Sequence, residues 1–95
     1  MTTNVKSLTV KIDALAALKA KVTLTQAAMM ILFTKGINTV EVRKILDTDR
    51  TMMSVNIAKL RDRELIETNI DKSDRRFIEV ELTESGKELV KIIRG

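Results

Sequence analysis

The stretch from Leu65 to Gly86, LIETNIDKSDRRFIEVELTESG, decides the fold of this chain. After a charged segment, Ile78, Val80 and Leu82 alternate with Glu79 and Glu81, which predicts a strand over 77–82. A first strand is predicted over 65–71, and the charged segment between the two forms a polar hairpin tip. Thr83 follows the second strand and can cap a helix over 84–94, whose apolar residues return at helical spacing. The sequence therefore predicts a two-stranded hairpin followed by one helix.

A nearly all-apolar helix is predicted upstream of the hairpin, over residues 24–35. Thr23, followed by Gln26 three residues later, is the pattern of a capping box, in which each side chain binds the backbone amide of the other residue. Gly36 follows the apolar run, and glycine adopts most easily the left-handed conformation that ends many helices. Because its residues are apolar on almost every side, we expect helix 24–35 to lie at the centre of the core.

Two shorter helices are predicted between the central helix and the hairpin. Asn38 starts a helix over 39–46, and Asp49, at the end of a turn over 47–49, caps a helix over 50–63. The second of these helices buries three apolar residues at spacings of four and three: Met53, Ile57 and Leu60. Two helices joined by a three-residue turn form a helix-turn-helix, and the hairpin adds a wing. The predicted fold is mainly α with a small β-hairpin (α+β), a winged helix-turn-helix.

Residues 4–20 are predicted to form an N-terminal helix. Its apolar residues recur every three or four positions and make one stripe: Val5, Leu8, Ile12, Leu15 and Leu18. The apolar residues of helix 84–94 are Leu89, Val90, Ile92 and Ile93. Together these helices offer more apolar surface than a monomer usually exposes, so we expect 4–20 and 84–94 to form the contacts of a homodimer. No proline or linker divides the chain, and we treat 1–95 as a single domain.

The composition excludes several classes of function. With 95 residues, 44% of them hydrophobic and 32% charged, the chain is long enough for one globular domain. It contains no Cys and no His, which excludes disulfides, thiolate metal sites, thiol-based sensing and the usual general base. Its three glycines form no phosphate-binding loop, and its longest apolar run, 27–33, is too short to cross a bilayer. We therefore predict no enzyme activity, no metal, no cofactor and no membrane insertion, and, because no signal peptide is visible, a cytoplasmic binding protein.

The charge is distributed unevenly along the chain. A net charge of +4 and a pI near 9.6 favour an anionic partner. Residues 1–46 carry seven Lys or Arg against two acids, whereas residues 47–95 carry ten against eleven. An ordinary mildly basic protein has the same net charge, so the charge alone is only a weak indication of nucleic-acid binding.

The hairpin and its flanks carry the pattern of a known family. Leu65-Ile66 opens the pattern, Asp74-Arg75-Arg76 ends the hairpin tip, and Leu82-Thr83-Glu84-Ser85-Gly86 closes the second strand. In these residues the chain resembles the multiple-antibiotic-resistance regulator (MarR) family of winged-helix transcription factors. The resemblance runs without a gap from about residue 39 to 86, roughly half of the chain, and it implies binding to double-stranded DNA.

Two adjacent arginines at the hairpin tip, Arg75 and Arg76, indicate a contact with DNA. A guanidinium group can enter a narrow minor groove, where the negative potential is enhanced. Asp74 lies two residues before Arg76 and can orient it, and the resemblance implies this role for the matching aspartate. We expect Arg76 in the minor groove, with Arg75 and Lys72 on phosphates. The alternative is a solvated turn whose charges keep the strands from pairing with other chains.

The outward face of helix 50–63 is predicted to enter the major groove. This face carries small or hydroxyl-bearing side chains: Thr51, Ser54, Val55 and Ala58. Such side chains let a helix lie deep in the groove, against base edges or thymine methyl groups. Arg50, at the start of the helix, can reach a guanine edge or a phosphate. Lys59 and Arg61 are expected on the DNA backbone, although a solvated helix face explains such a lysine equally well.

The chain departs from the family pattern at several positions. It has Val55 where the family commonly has a polar base reader, Arg43 where a small residue is common, and Glu64 in place of glycine. Asn56 occupies a position that is usually apolar and needs a hydrogen-bond partner if it is buried. Members of the family usually carry further C-terminal dimerisation helices, whereas this sequence ends at Gly95. We therefore expect a short form without a conventional pocket for a small-molecule effector.

These observations favour a DNA-binding regulator of transcription. We expect a dimeric repressor that occludes a promoter by binding two half-sites about one helical turn apart. Two alternatives stay open. One is a winged-helix module for protein–protein assembly, which the acidic second half of the chain favours. The other is an architectural protein that coats DNA without sequence preference.

Overall fold

The computed structural model describes residues 12–70 and 78–94 of the chain. Within these ranges the elements, in chain order, are α1 Ala14–Lys19, α2 Leu24–Thr34, α3 Thr39–Ile45, α4 Arg50–Asp62, β1 Ile66–Ile70, β2 Ile78–Leu82 and α5 Glu84–Arg94. This order confirms the predicted winged helix-turn-helix, which is mainly α with a small β-hairpin. Residues 4–11 of the predicted N-terminal helix and residues 71–77 around the predicted hairpin tip lie outside the described residues.

Helix α2 forms the centre of the core, as its apolar composition predicts. Its residues 26–33 are all buried, and α1, α3, β2 and α5 pack around it. The predicted capping box is present: the Gln26 amide donates to Thr23 Oγ1 over 3.0 Å, and the Thr23 amide donates to Gln26 Oε1 over 3.1 Å. The helix begins at Leu24 because these two amides, which have no acceptor inside the helix, find acceptors in the box.

Helix α1 begins later than the apolar stripe predicts. Ile12 and Asp13 are not helical, and Asp13 caps the helix by accepting hydrogen bonds from the amides of Leu15 and Ala16 over 3.0 and 3.1 Å. The prediction of a continuous helix over 4–20 is therefore wrong at residues 12 and 13. The physical reason is that an aspartate carboxylate competes for free backbone amides and so favours a helix start over a helix interior.

The first four helices all end in the same hydrogen-bonded turn. A residue with positive φ follows each C-cap, and the next amide bonds back to a carbonyl five residues earlier, which is the Schellman arrangement. The residues with positive φ are Lys21, Gly36, Asp47 and Glu64. Helices α2, α3 and α4 each end one residue before the predicted end, because the last predicted residue is the C-cap. Glu64, at φ 60°, thus occupies the conformation for which the family pattern supplies glycine.

Strands β1 and β2 pair antiparallel, with Ile66 opposite Leu82 and Ile70 opposite Ile78. β1 starts at Ile66 rather than at the predicted residue 65, because the Leu65 amide is engaged in the turn that ends α4, where it donates to the Leu60 carbonyl over 3.0 Å. The register places alternate side chains on opposite faces of the hairpin.

The end of the hairpin joins α5 through a tight junction. Thr83 Oγ1 donates to the Glu64 carbonyl over 2.6 Å and accepts from the Gly86 amide over 3.1 Å, so Thr83 caps α5 as predicted. The Thr83 amide also donates to the Leu65 carbonyl over 3.1 Å. A Cβ atom at Gly86 would overlap that Leu65 oxygen, so only glycine lets the first turn of α5 approach this closely. The junction explains why threonine and glycine stand three residues apart at the end of the hairpin.

The core is built from aliphatic and methionine side chains, with Phe33 among them. Helix α5 contributes Val90 and Ile93 to this core, whereas Leu89 is half-buried and Ile92 is exposed. The prediction that all four residues contact a second subunit is therefore wrong for Val90 and Ile93, because they pack inside their own subunit. No helix within residues 12–70 and 78–94 is both long and apolar enough to span a lipid bilayer.

Candidate nucleic-acid interface

Helices α3 and α4 form the predicted helix-turn-helix. The Glu41 amide donates to Asn38 Oδ1 over 2.9 Å at the start of α3, and the Met52 amide donates to Asp49 Oδ1 over 2.7 Å at the start of α4. Both predicted N-caps are thus confirmed. Asp47, with φ 50°, turns the chain between the two helices. The caps and the turn fix the orientation of the first turn of α4 relative to α3.

Helix α4 has one buried side and one exposed side. The buried side holds the three predicted apolar residues, Met53, Ile57 and Leu60, together with Asn56. The exposed side holds four of the five residues predicted to contact the groove or its edge: Arg50, Thr51, Ser54 and Val55. Ala58, the fifth, is half-buried. The structure therefore places the predicted contact residues of α4 together on or beside its open face.

Asn56 is buried and bonded to the start of α2. Its Oδ1 accepts a hydrogen bond from Gln26 Nε2 over 3.1 Å, and Gln26 is buried as well. Gln26 therefore serves two partners, because its Oε1 also accepts from the Thr23 amide in the capping box. The sequence predicted that a buried Asn56 needs a partner, but it identified Gln26 only as a capping residue. This bond ties the middle of α4 to the first turn of the central helix.

A cleft of about 310 Å³ lies between α3, α4 and β2. Arg43 and Arg50 line it together with Ser54 and Ile78. Within residues 12–70 and 78–94, neither arginine forms an ion pair with a carboxylate. Two guanidinium groups beside one cleft can bind phosphate oxygens. In the sequence, Arg43 stands out only as a departure from the family pattern. Its position four residues after Thr39 places both residues on the same side of α3, and both line the cleft.

The far end of α4 is tied to α1. Arg63 Nη1 donates to the Ala20 carbonyl over 3.0 Å, which joins the C-cap of α4 to the C-cap of α1. Lys59 and Arg61, one turn earlier, are exposed. Helix α4 is therefore held at its start by Asp49, in its middle by Gln26 and at its end by Ala20, while its outer face stays open.

The hairpin has an acidic face and an apolar face. The register places Glu67 opposite Glu81 and Asn69 opposite Glu79, and all four side chains are exposed. The other face carries Ile66, Thr68, Val80 and Leu82, which are buried or half-buried. Because carboxylates and phosphates repel each other, the charge of this face disfavours an approach to DNA phosphates. Among the described residues, no cluster of acidic side chains has the arrangement needed to hold a metal ion.

The predicted contact residues of the hairpin tip, Lys72, Asp74, Arg75 and Arg76, lie outside the described residues. The strands on either side of them are β1 and β2, which have the predicted antiparallel pairing. The tip contacts therefore stay predictions.

Residues 24–86, from the start of α2 to the first turn of α5, match the winged helix DNA-binding domain family. The chain belongs to this family. The family and the fold are those of DNA-binding proteins rather than of enzymes. A comparison with curated proteins gave no match.

Several solved structures have the same fold as this chain. A variant of MepR from S. aureus, bound to an oligodeoxyribonucleotide, superposes with a TM-score of 0.73 at 22% identity, over 92% of this chain and 63% of that one. BpsR from Bordetella bronchiseptica, whose DNA binding is regulated by 6-hydroxynicotinic acid, superposes with a TM-score of 0.69 at 26% identity. The superposition covers 83% of this chain and 58% of BpsR. A MarR-family transcription regulator superposes with a TM-score of 0.73 at 21% identity, over 83% of this chain and 54% of that one. The predicted resemblance is thereby confirmed, and the chain spans less than two thirds of the length of each of these proteins.

Proposed function

We propose that this winged-helix protein is a sequence-specific regulator of transcription that binds double-stranded DNA as a homodimer and represses by occluding a promoter. The observation that carries the proposal is the open face of α4, where Arg50, Thr51, Ser54 and Val55 are exposed in a DNA-binding fold. Small and hydroxyl-bearing side chains let a helix backbone approach base edges in the major groove. The MepR neighbour bound to an oligodeoxyribonucleotide supports duplex DNA as the partner.

The proposed dimer interface is an apolar surface on α1 and α5. Leu15 and Leu18 of α1 are 59% and 72% exposed, and Ile92 of α5 is 60% exposed. An open groove of about 370 Å³ between the two helices is lined by Leu15, Leu89 and Ile92. Removing such side chains from water is favourable, at roughly 25 cal/mol per Å² of apolar surface. The same surface on a second copy can cover it, and two-fold symmetry then supplies two α4 helices for two half-sites.

The hairpin tip completes the proposed interface. Arg76 is proposed to enter the minor groove, with Asp74 orienting it and with Lys72 and Arg75 on phosphates. The tip sequence, with two adjacent arginines two residues or fewer from an aspartate, supports this assignment. Because the hairpin has one acidic face, the tip must approach DNA with Glu67 and Glu81 directed away from the phosphates.

Selection of bound duplexes from a random library tests the function as a whole. We expect one palindromic site, bound at least about a thousandfold more tightly than random duplex at physiological salt, with an affinity that falls steeply as salt rises. Equal affinity for the selected and random duplexes would instead establish an architectural protein. If no duplex binds even at low salt, the chain is a protein–protein assembly module.

Matched arginine variants locate the DNA contacts. Arg50→Ala and Arg76→Ala should each weaken binding, and each lost phosphate contact should lower the slope of log K against log salt by about one. Arg94→Ala, on the last turn of α5, is the control, since it removes the same charge from an exposed position that is neither among the proposed DNA contacts nor among the apolar residues of the dimer surface. Equal effects of all three changes would show that only net charge matters.

A second pair of variants tests the dimer. Leu18→Glu places a charge in the proposed apolar interface and should convert the protein to monomers in analytical ultracentrifugation. Leu24→Glu, at an exposed leucine of α2, is the matched control and should stay dimeric. A Leu18→Glu protein that sediments as the unchanged protein does would exclude this surface as the interface.

A further inference from the structure

The exposed side of α4 carries two apolar side chains, Met52 near its edge and Val55 near its middle. Met52 is 49% exposed and Val55 is 39% exposed. They lie three residues apart on one helix, so their side chains are neighbours on its surface. The sequence predicts Val55 as a contact residue, whereas Met52 becomes evident only from its exposure in the structure. Together these two side chains offer a small apolar surface to a partner that carries apolar groups.

The side chains that usually distinguish guanine and adenine are missing from the centre of this face. Asparagine and glutamine read adenine through paired hydrogen bonds, but Asn56, the only amide side chain of α4, is buried and accepts from Gln26. Arginine reads guanine, but Arg50 lies at the first position of the helix, beside Arg43 in the cleft. At the other end, Arg63 donates to the Ala20 carbonyl.

Lys59 and Arg61, further along α4, are exposed and are expected on the DNA backbone, and the remaining polar groups on this face discriminate poorly among the bases. Thr51 and Ser54 carry hydroxyl groups, which can donate to or accept from either kind of base pair. Their small size lets the helix approach the groove closely, which brings Met52 and Val55 within reach of the base edges. Between Thr51 and Val55, the side chains best able to discriminate among the bases are therefore the apolar ones.

Thymine is the one standard base that displays a methyl group in the major groove. We propose that Met52 and Val55 read thymine methyl groups, so that the half-site bound by α4 is specified at its centre by thymine. Met52 thereby becomes a specificity-determining residue. This inference rests on the proposed function, since it needs α4 in the major groove of duplex DNA.

Replacing thymine by deoxyuridine in the selected duplex tests the inference directly, because deoxyuridine keeps every hydrogen-bonding group and lacks only the methyl. With the full chain, we expect affinity to fall about fourfold for each methyl group contacted, the equivalent of about 0.8 kcal/mol per buried carbon. A half-site in which both side chains make such contacts should lose about 15-fold. Replacing a contacted thymine by cytosine should weaken binding, and 5-methylcytosine at the same place should restore part of the loss.

Protein variants assign the methyl contacts to these two side chains. The double variant Met52→Ala/Val55→Ala should bind the thymine and deoxyuridine duplexes with nearly equal affinity. Met52→Leu should keep a large ratio of the affinity for the thymine duplex to that for the deoxyuridine duplex, since it keeps an apolar side chain of similar size. Leu24→Ala, an apolar truncation at an exposed position of α2 outside the proposed dimer and DNA contacts, is the control and should leave the ratio of the two affinities unchanged. Because every variant meets the same two duplexes, differences in DNA stiffness cancel.

The outcomes separate this inference from the proposed function. A protein that binds its selected site far better than random duplex, but binds the thymine and deoxyuridine forms equally, overturns thymine readout and leaves the regulator intact. A thymine preference that survives in the double variant overturns the assignment to Met52 and Val55. If the protein selects no duplex at all, both proposals fail together.

Discussion

The hydrogen bond between Gln26 and Asn56 joins the central helix to α4, and replacing its partners one at a time tests how much it contributes. The bond is 3.1 Å long, and both side chains are buried. We consider Gln26→Leu, Asn56→Leu and the double variant. Each single change leaves the other polar group buried without its partner, whereas the double change puts two apolar side chains together.

The expected cost of each variant follows from the bonds that it removes. Asn56→Leu leaves the side-chain amide of Gln26, at Nε2, without its acceptor and should lower the free energy of unfolding by about 1–3 kcal/mol. Gln26→Leu leaves Asn56 Oδ1 without its donor and also removes the acceptor of the Thr23 amide, for a loss of about 2–3 kcal/mol. In the double variant only the capping bond is missing, so its loss should be about 1 kcal/mol. The two changes should thus be coupled by about 2 kcal/mol or more.

Urea denaturation of the four proteins at one fixed concentration measures these differences, and the fixed concentration keeps any contribution of dimerisation constant. In thermal unfolding, a loss of 2 kcal/mol should lower the melting temperature by roughly 10 °C for a domain of this size. The reasoning is refuted if the losses of the two single variants simply add in the double variant, since additivity would mean that the two side chains do not interact.

Three further substitutions test the close approach of α5 to Leu65 and the caps of α5 and α4, and urea denaturation measures the effect of each. Gly86→Ala should destabilise the protein by about 3 kcal/mol or prevent folding, because the new Cβ meets the Leu65 carbonyl; a loss below 0.5 kcal/mol would contradict this close approach. Thr83→Ala should cost about 1–2 kcal/mol by removing the cap of α5, whereas Thr83→Ser, which keeps the hydroxyl, should cost much less. Asp49→Ala should cost about 1 kcal/mol through the lost bond to the Met52 amide, and Asp49→Asn, a good cap itself, serves as its control.

The helix starts could be predicted from the sequence because each depends on contacts within one turn. Thr23, Asn38 and Asp49 all carry a side-chain oxygen that accepts from an amide three residues later, and all three helices start where this signal places them. Asp13 carries the same signal. The apolar periodicity around Asp13 predicts a helix that continues through it, and in the structure the local capping bond prevails over the periodicity.

The contacts that shape the site depend on residues far apart in the sequence. Gln26 and Asn56 are 30 positions apart, and no local pattern connects them. Nor does the amphipathic pattern of α5 distinguish a side chain that packs in its own core, such as Ile93, from one left open for a partner, such as Ile92. Exposure of Met52 likewise follows from the angle at which α4 packs, which spacing alone does not give.

At three of the four helix ends, the residue in the left-handed conformation is not glycine. Lys21, Asp47 and Glu64, with φ between 50° and 61°, are all exposed. The left-handed conformation costs an ordinary L-residue about 1–2 kcal/mol, and glycine recovers this at an entropic loss of about 0.5–1 kcal/mol. Replacing each of these residues by glycine should therefore raise the free energy of unfolding, and none of the three lies within α4. Replacing Lys21 or Glu64 by glycine should therefore alter stability while leaving the residues of the open face of α4 unchanged.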